Sequence, residues 1–382
     1  LKFIGGIDYL KELQTVPVSA LAADSYANLV KDQSIDRNLK KVLQELIKIS
    51  DDPKGKTSDQ ILDEAEAEIF KLSENRTKND SLKKIEEYVG PTLDKLEELS
   101  KQQGELIGIS SGFKAVDGVT QGLQKEDLIV IAGRPSMGKT SLAMNIAENV
   151  AKEEDGCVLV FSLEMSSESL TSRMLASMAG ISQQSFKSAN LTDRQWEKTI
   201  NQAAKLRSMN IHIDDKPNIS PMEIRAKARR LAKQHRNNGG VKLIVVDYIQ
   251  LMQMPGKTEN RVNELSDISR SLKYLAKEVN APVIVLSQLN RAVEQRPNKR
   301  PQMSDLRDSG AIEQDADLIF MLYRDYLYSN DEEWKNVVEL RLVKHRNGPT
   351  KDILLAFRDE LTRFGDLAPE IMNSYAENRT AD

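Results

Sequence analysis

The sequence predicts an α/β fold, a mostly parallel sheet covered by helices on both faces and preceded by an α-helical hairpin and a linker helix. Two observations carry this. From Leu106 onward, short apolar runs alternate with helical periodicity, the pattern of strands buried between helical layers. Ahead of Leu106, apolar positions recur in steps of three and four, as on amphipathic helices.

The chain has 382 residues, enough for two or three domains, or for one core with appendages. Its 40% hydrophobic and 29% charged content is that of a soluble globular protein, and no apolar run approaches the roughly 20 residues that span a bilayer. The single cysteine, Cys157, lies in an apolar run, which excludes an internal disulfide and suits a buried thiol in a reducing cytoplasm. A net charge of −4 gives no global basic field, so nucleic-acid binding has to rest on local patches. The chain opens on Leu1 without a signal-peptide pattern, from which a truncated N-terminal part is expected.

Residues 25–49 place Leu29, Leu39, Val42, Leu43, Leu46 and Ile47 on one helical stripe, which Asp51-Asp-Pro-Lys-Gly55 breaks. The capping box Thr57-Ser-Asp-Gln60 opens a second helix through Ile61, Leu62, Ala65, Ile69 and Phe70, and the two make an antiparallel hairpin. Ser73–Asp80 reads as a joint. Two helical pieces follow, Ser81–Val89 and Pro91–Gln103, broken at Gly90-Pro91; the second carries Leu93, Leu96 and Leu99 and needs a surface to dock on. Strands are expected at 128–132, 157–162, 242–247, 282–287 and 316–322, with further β structure at 337–343 and 352–357. Ser220-Pro-Met-Glu223 marks a helix N-terminus, and the basic run Arg225, Lys227, Arg229, Arg230 and Lys233 that follows reads as a solvated face. Leu265, Ile268, Leu272, Leu275 and Val279 give another helix a core stripe. The histidines His212, His235 and His345 stand far apart in sequence and suggest no metal cluster.

Gly133-Arg134-Pro135-Ser136-Met137-Gly138-Lys139-Thr140 has two glycines flanking four residues and then Lys-Thr, between the strand Leu128–Ala132 and a helix from Ser141 to Ala151. That is a phosphate-binding loop in its proper context. Gly133, Ser136, Gly138, Lys139, Thr140 and Ser141 are the nucleotide-binding residues it implies. Backbone amides would cradle phosphates at a helix N-terminus, Lys139 would reach the β- and γ-phosphates, and the Thr140 hydroxyl would ligate Mg²⁺. Leu243-Ile-Val-Val-Asp247 is an apolar strand ending in a carboxylate that can hold Mg²⁺ or its water. Val158-Leu-Val-Phe-Ser-Leu-Glu164 is another, where Glu164 is either a base for the attacking water or a surface carboxylate. Gln288 ends Val283-Ile-Val-Leu-Ser-Gln288 and is either a γ-phosphate sensor or a plain loop amide. Arg296, Lys299, Arg300 and Arg307, with Pro297, Pro301 and Gly310, make a basic stretch without aromatics, suited to phosphates more than bases.

Together with Ser162-Leu-Glu-Met-Ser166, Asp247-Tyr-Ile-Gln-Leu251, Ser287-Gln-Leu-Asn-Arg291 and Asp305-Leu-Arg-Asp-Ser-Gly-Ala-Ile-Glu-Gln-Asp-Ala-Asp317, in this order, the chain resembles the DnaB family of bacterial replicative DNA helicases. The resemblance implies a RecA-like P-loop NTPase motor at 106–370, a linker with a docking helix at 81–105, the remainder of a helical N-terminal domain at 1–80, and a tail at 371–382. It implies a cytoplasmic homohexameric ring that uses ATP and Mg²⁺ to move 5′ to 3′ on single-stranded DNA, with primase and a helicase loader as partners. It makes Glu164 the catalytic carboxylate and Gln288 the sensor, with Arg307, Asp308 and Gly310 facing DNA. Leu342-Val-Lys344-His-Arg346 resembles the family's pair of trans-acting cations, Lys344 and Arg346; read alone, it is a solvated sheet edge. A RecA-like recombination or repair ATPase, forming an open filament, and a non-motor docking protein share the same core.

Overall fold

The computed structural model describes residues 23–53, 61, 65, 84–101, 106–254 and 261–380. The chain divides into two compact units, Leu1–Glu98 and Leu99–Asp382. In the first, helix α1 covers Ala23–Asp51, matching the stripe read from the sequence. Ile61 and Ala65 are helical, whereas the capping box at 57–60, the rest of the second hairpin helix and the joint Ser73–Asp80 lie outside the described residues.

The expected break at Gly90-Pro91 is overturned: one helix, α2, runs from Glu86 to Lys101 with Pro91 inside it. Its first turn is tight, with Glu87 N donating to the Lys84 carbonyl (3.0 Å) and Tyr88 N to the Ile85 carbonyl (3.0 Å). Pro91 therefore falls early in the helix and forfeits only the bond to the Glu87 carbonyl, a loss that the following turns absorb. Leu93 and Leu96 are exposed on it.

The second unit holds, in order, α3 (Lys114–Thr120), β1 (Leu128–Gly133), α4 (Lys139–Glu153), β2 (Cys157–Ser162), α5 (Ser167–Ala179), α6 (Gln183–Lys187), α7 (Asp193–Ser208), β3 (Ile211–Asp214), α8 (Pro221–Gln234), β4 (Val241–Asp247), α9 (Arg261–Val279), β5 (Val283–Gln288), α10 (Gly310–Asp315), β6 (Leu318–Tyr323), α11 (Tyr326–Ser329), β7 (Val337–His345), β8 (Lys351–Arg358), β9 (Arg363–Asp366) and α12 (Pro369–Thr380). The described strands form one sheet in the order β3-β2-β4-β5-β1-β6-β7-β8-β9. Pairing is parallel from β3 to β6 and antiparallel from there to β9.

Strand side chains alternate between faces, so each of β1, β2, β4, β5 and β6 feeds two cores. Ile129, Ile131, Val158, Val160, Val245 and Leu286 pack with Leu142, Ile146 and Val150 of α4. Leu128, Val130, Leu159, Val246 and Val285 pack with Ile224 of α8 and with Leu265, Ile268, Leu272 and Leu275 of α9. That double burial is why these strands read as continuous apolar runs. The capping box at α8 forms as the sequence indicates, Glu223 N donating to Ser220 Oγ (3.2 Å) and Ser220 N to Glu223 Oε2 (2.9 Å).

Several readings change. The run on α8 is not simply solvated: Arg225 and Arg229 pair with Glu278 of α9, and Lys227 pairs with Asp214 of β3. Strands β3 and β9 were not expected. Each is four residues long and only partly buried, so neither produces an apolar run. Residues 371–382, read as a tail, lie largely in α12, whose Tyr375 meets Trp334 edge-to-face at 5.0 Å. Among the described residues no helix is long and apolar enough to cross a membrane.

Candidate active site

The parallel register delivers four strand ends to one edge of the sheet. Gly133 stands opposite Gln288, and Ser162 opposite Asp247. The loop after Gly133 needs left-handed backbone: Ser136 has φ 65° and Gly138 φ 97°. At Gly138 a Cβ would also meet the rings of Phe364 (3.0 Å) and Phe357 (3.2 Å), so two reasons require glycine there. Gly138 is the N-cap of α4 and offers no side-chain cap, which leaves the first backbone N–H groups of the helix directed at the loop.

Lys139 folds back over the loop, its Nζ donating to the carbonyls of Gly133 (2.8 Å) and Arg134 (3.0 Å). Burial lowers its pKa to about 8, against the carboxylates of Asp247 and Glu164, which push it up. The Thr140 hydroxyl donates to Asp247 Oδ2 at 2.8 Å. Burial raises Asp247 to about 6; the Thr140 hydrogen bond lowers it and the Glu164 charge raises it further. A hydroxyl and a carboxylate in contact are the hard oxygen donors that suit Mg²⁺. Glu164 stands exposed two residues beyond β2, near enough for its charge to act on both Lys139 and Asp247. Ser141, in the first turn of α4, lines a small cleft with Asn145 and Arg173.

Two residues given no role from sequence join this edge together. Gln250 Nε2 donates to Ser287 Oγ (2.9 Å) and to the Gln288 carbonyl (3.3 Å), while its Oε1 accepts from Gln288 N (3.3 Å). Arg134 donates to the Leu289 carbonyl (2.8 Å) and pairs with Glu294 (2.8 Å), tying the phosphate loop to the segment after β5. Both sit within motifs that marked the resemblance, the one available signal for them. A cavity of about 260 Å³ opens here, lined by Arg134, Gln250, Gln288, Asn290, Arg291 and Asp305.

Lys344 and Arg346 lie at the other edge. Lys344 opposes Ile319 at the start of β6 and donates to the carbonyls of Glu313 (2.6 Å) and Gln314 (3.2 Å). Arg346 N donates to the Asp317 carbonyl (2.9 Å), and Asp317 N in turn to the Leu128 carbonyl (2.9 Å). Arg346 is thus level with the start of β1, five residues or about 16 Å from Gly133, beyond the reach of an arginine side chain.

The basic stretch is mostly committed to the fold. Arg296 pairs with Asp305 (2.7 Å) and donates to Gln302 (3.0 Å), and Arg300 binds both oxygens of the buried Glu339 (3.0 and 3.1 Å). The reading that these two face phosphates is corrected, because partly buried cations with carboxylate partners are not available to DNA. Arg307 and Asp308 fall in the 3₁₀ stretch Met303–Ser309, where their side chains lie outside the described residues; Gly310 opens α10.

The histidine reading is also corrected. His212 of β3 and His235, just after α8, come together with Cys157, with ligand atoms all within 4.8 Å. The crossovers on either side of β2 return to the same end of that strand, which sequence separation hides. Asn210 accounts for the pair, its Oδ1 facing His212 Nε2 (3.0 Å) and its Nδ2 facing His235 Nδ1 (3.4 Å). Asn210 thus accepts from one ring and donates to the other, which leaves both neutral imidazoles with the proton on Nε2, and burial raises the Cys157 thiol to about 11. The two histidines are linked through Asn210 at the edge of the core, beside the buried Cys157, and His235 Nε2 is buried with no hydrogen-bond partner among the described residues.

Residues 108–366 match the family model described as DnaB-like helicase C terminal domain. The chain is 45% identical over 372 residues to the replicative DNA helicase DnaB of Pasteurella multocida, covering 96% of this chain and 79% of that protein. It is 43% identical over 370 residues to the replicative DNA helicase DnaB of Geobacillus stearothermophilus, covering 96% and 80%. The solved structure of a DnaB-like replicative helicase and its interactions with primase aligns with TM-score 0.76 at 33% identity, over 96% of this chain and 85% of that one. A second solved structure, of an ATPase domain, aligns with TM-score 0.70 at 38% identity, over 75% of this chain and all of that one.

The two shifted groups set a pH window. A cation at Asp247 would need the carboxylate ionised, above about pH 6, and a phosphate at Lys139 would need the ammonium charged, below about pH 8. Affinity for Mg–nucleotide, titrated by fluorescence, is expected to peak between those values. The acid limb should vanish in Asp247→Asn. Affinity that is flat across the range would contradict the assignment.

Proposed function

The chain belongs to the DnaB family of replicative DNA helicases, with a RecA-like α/β motor, and from that premise we propose that it is an ATP-driven replicative helicase moving 5′ to 3′ on single-stranded DNA as a homohexameric ring. One observation supports the ring most strongly. The hydrolytic set and the cation pair lie on opposite edges of one sheet, so a complete site needs a neighbour. In this reading 106–370 is the motor, 81–105 the linker and 1–80 the remainder of the N-terminal helical domain. Primase and a loader are its partners in the cytoplasm.

The residues take these roles. Gly133, Ser136, Gly138 and Ser141 shape the loop for phosphate, and Lys139 serves the β- and γ-phosphates. Thr140 and Asp247 would hold Mg²⁺, which would supply charge neutralisation on the phosphates. Glu164 orients and deprotonates the attacking water. Gln288 meets the γ-phosphate, and its bonds with Gln250 carry the loss of that phosphate along the strand ends toward Arg307, Asp308 and Gly310 on DNA. Lys344 and Arg346 project from one subunit onto the nucleotide of the next, where a cation is most effective as charge develops in the transition state. A filament-forming recombination ATPase would share the core; the family match to replicative helicases over nearly the whole chain favours the helicase.

Lys139→Ala should weaken nucleotide binding, whereas Glu164→Gln should bind nucleotide and DNA but neither hydrolyse nor unwind a forked duplex with a 5′ tail. Parent-rate hydrolysis by Glu164→Gln would remove it as the base.

Arg346→Ala and Lys139→Ala should each abolish most ATPase activity in homogeneous assemblies, a finger being worth roughly 10³ to 10⁵ in rate. Mixed under subunit exchange, they should recover part of it, since an intact loop then meets an intact finger. No recovery would mean that Arg346 does not act in trans.

A further inference from the structure

We propose that Asp317 is the positioning residue of the trans-acting cation, holding the Arg346 guanidinium at the sheet edge so that it meets the neighbouring subunit's nucleotide already oriented. The inference rests on Arg346 serving that neighbour. Asp317 immediately precedes β6, and its carboxylate is only 4% exposed while the Arg346 side chain is 61% exposed. The two oxygens do different work. Oδ2 accepts from Leu128 N (2.8 Å) and pairs with Lys273, whose ammonium also donates to the Glu126 carbonyl (2.7 Å). Oδ1 accepts from Arg346 Nη1 (3.3 Å). The backbone bond from Arg346 N to the Asp317 carbonyl (2.9 Å) fixes the root of the same side chain.

Leu128 N and Lys273 would suffice to keep Asp317 in the fold. The contact with Arg346 adds something else: it anchors a long, solvent-facing side chain to a rigid, buried point on β1 and β6. A guanidinium is a planar fork of five N–H donors. Holding one donor against Oδ1 orients the plane while the outward edge remains available to an anion. Lys273 matters to the balance, because it shares the charge of Asp317 and keeps the pair with Arg346 from becoming a tight one. A long contact to a mostly exposed arginine is further weakened by water, so a polyphosphate can compete with it. Lys344 is held differently, by the carbonyls near the end of α10; the Asp317 charge reaches it through space, but Arg346 is the one of the two cations that Asp317 hydrogen-bonds.

The test uses assembly complementation in the full chain. Asp317→Asn keeps an oxygen for Leu128 N and removes the charge; Asp317→Asn with Lys273→Met also removes the ammonium left without its carboxylate, which preserves folding if the single variant is unstable. Either variant should lower kcat for ATP roughly ten- to hundredfold, the scale expected of a misplaced group, with nucleotide affinity and KM changed far less, because the phosphate loop supplies most ground-state contacts and the finger acts chiefly as charge develops in the transition state. Mixed with Lys139→Ala, the variant should regain activity; mixed with Arg346→Ala, it should not, since both lack a working finger. The reverse pattern, recovery with Arg346→Ala alone, would make Asp317 a support of its own subunit's site and overturn the proposal. So would parent-level kcat, or failure of both variants to assemble, which would make Asp317 purely structural. Absence of recovery when Lys139→Ala meets Arg346→Ala would instead overturn the trans reading on which the proposal rests.

Discussion

The site depends on the in-register parallel pairing of β1, β5, β4 and β2. Because Gly133 is level with Gln288 and Ser162 with Asp247, the phosphate loop, the carboxylates and the amide emerge side by side without any long loop having to aim them. A one-residue slip would turn each side chain to the opposite face. The register is fixed by the two cores, since each strand buries both of its faces and each fully buried Leu or Ile contributes about 1.5–3 kcal/mol. Stability and positioning therefore have one source.

That packing also sets the electrostatics. Lys139 and Asp247 are charges placed where water is scarce, and their pKa values move toward each other, to about 8 and about 6. Lys139 leans on loop carbonyls and Asp247 on the Thr140 hydroxyl. These bonds occupy groups suited to phosphate and Mg²⁺, so ligand binding would exchange partners instead of exposing bare charges. At the far edge Asp127, raised to about 6 by burial and by Asp317, shows the same crowding of charge around Lys273 and Arg346.

The strands Leu128–Gly133, Cys157–Ser162 and Val241–Asp247 were legible because double burial writes an unbroken apolar run. The phosphate loop was legible because its conformation demands glycine at Gly138. What escaped was whatever depends on distance in space. Arg296 and Arg300 look like a DNA-facing patch until Asp305 and Glu339 are seen beneath them. His212, His235 and Cys157 meet only because two crossovers return to one strand end. Pro91 reads as a break, yet early in a helix it costs a single hydrogen bond. Gln250, Arg134 and Asp317 carry no composition signal at all; each acquires its meaning from a partner more than 25 residues away.

The central claim is that the ATP site is shared between neighbours. Electron microscopy of the chain assembled with Mg²⁺, a non-hydrolysable ATP analogue and single-stranded DNA tests it most directly. The account predicts closed six-membered rings in which the Arg346 guanidinium of one subunit lies within hydrogen-bond distance of the γ-phosphate held by the next subunit's phosphate loop. An open filament, or a nucleotide enclosed by one subunit with Arg346 far from every phosphate, would contradict it.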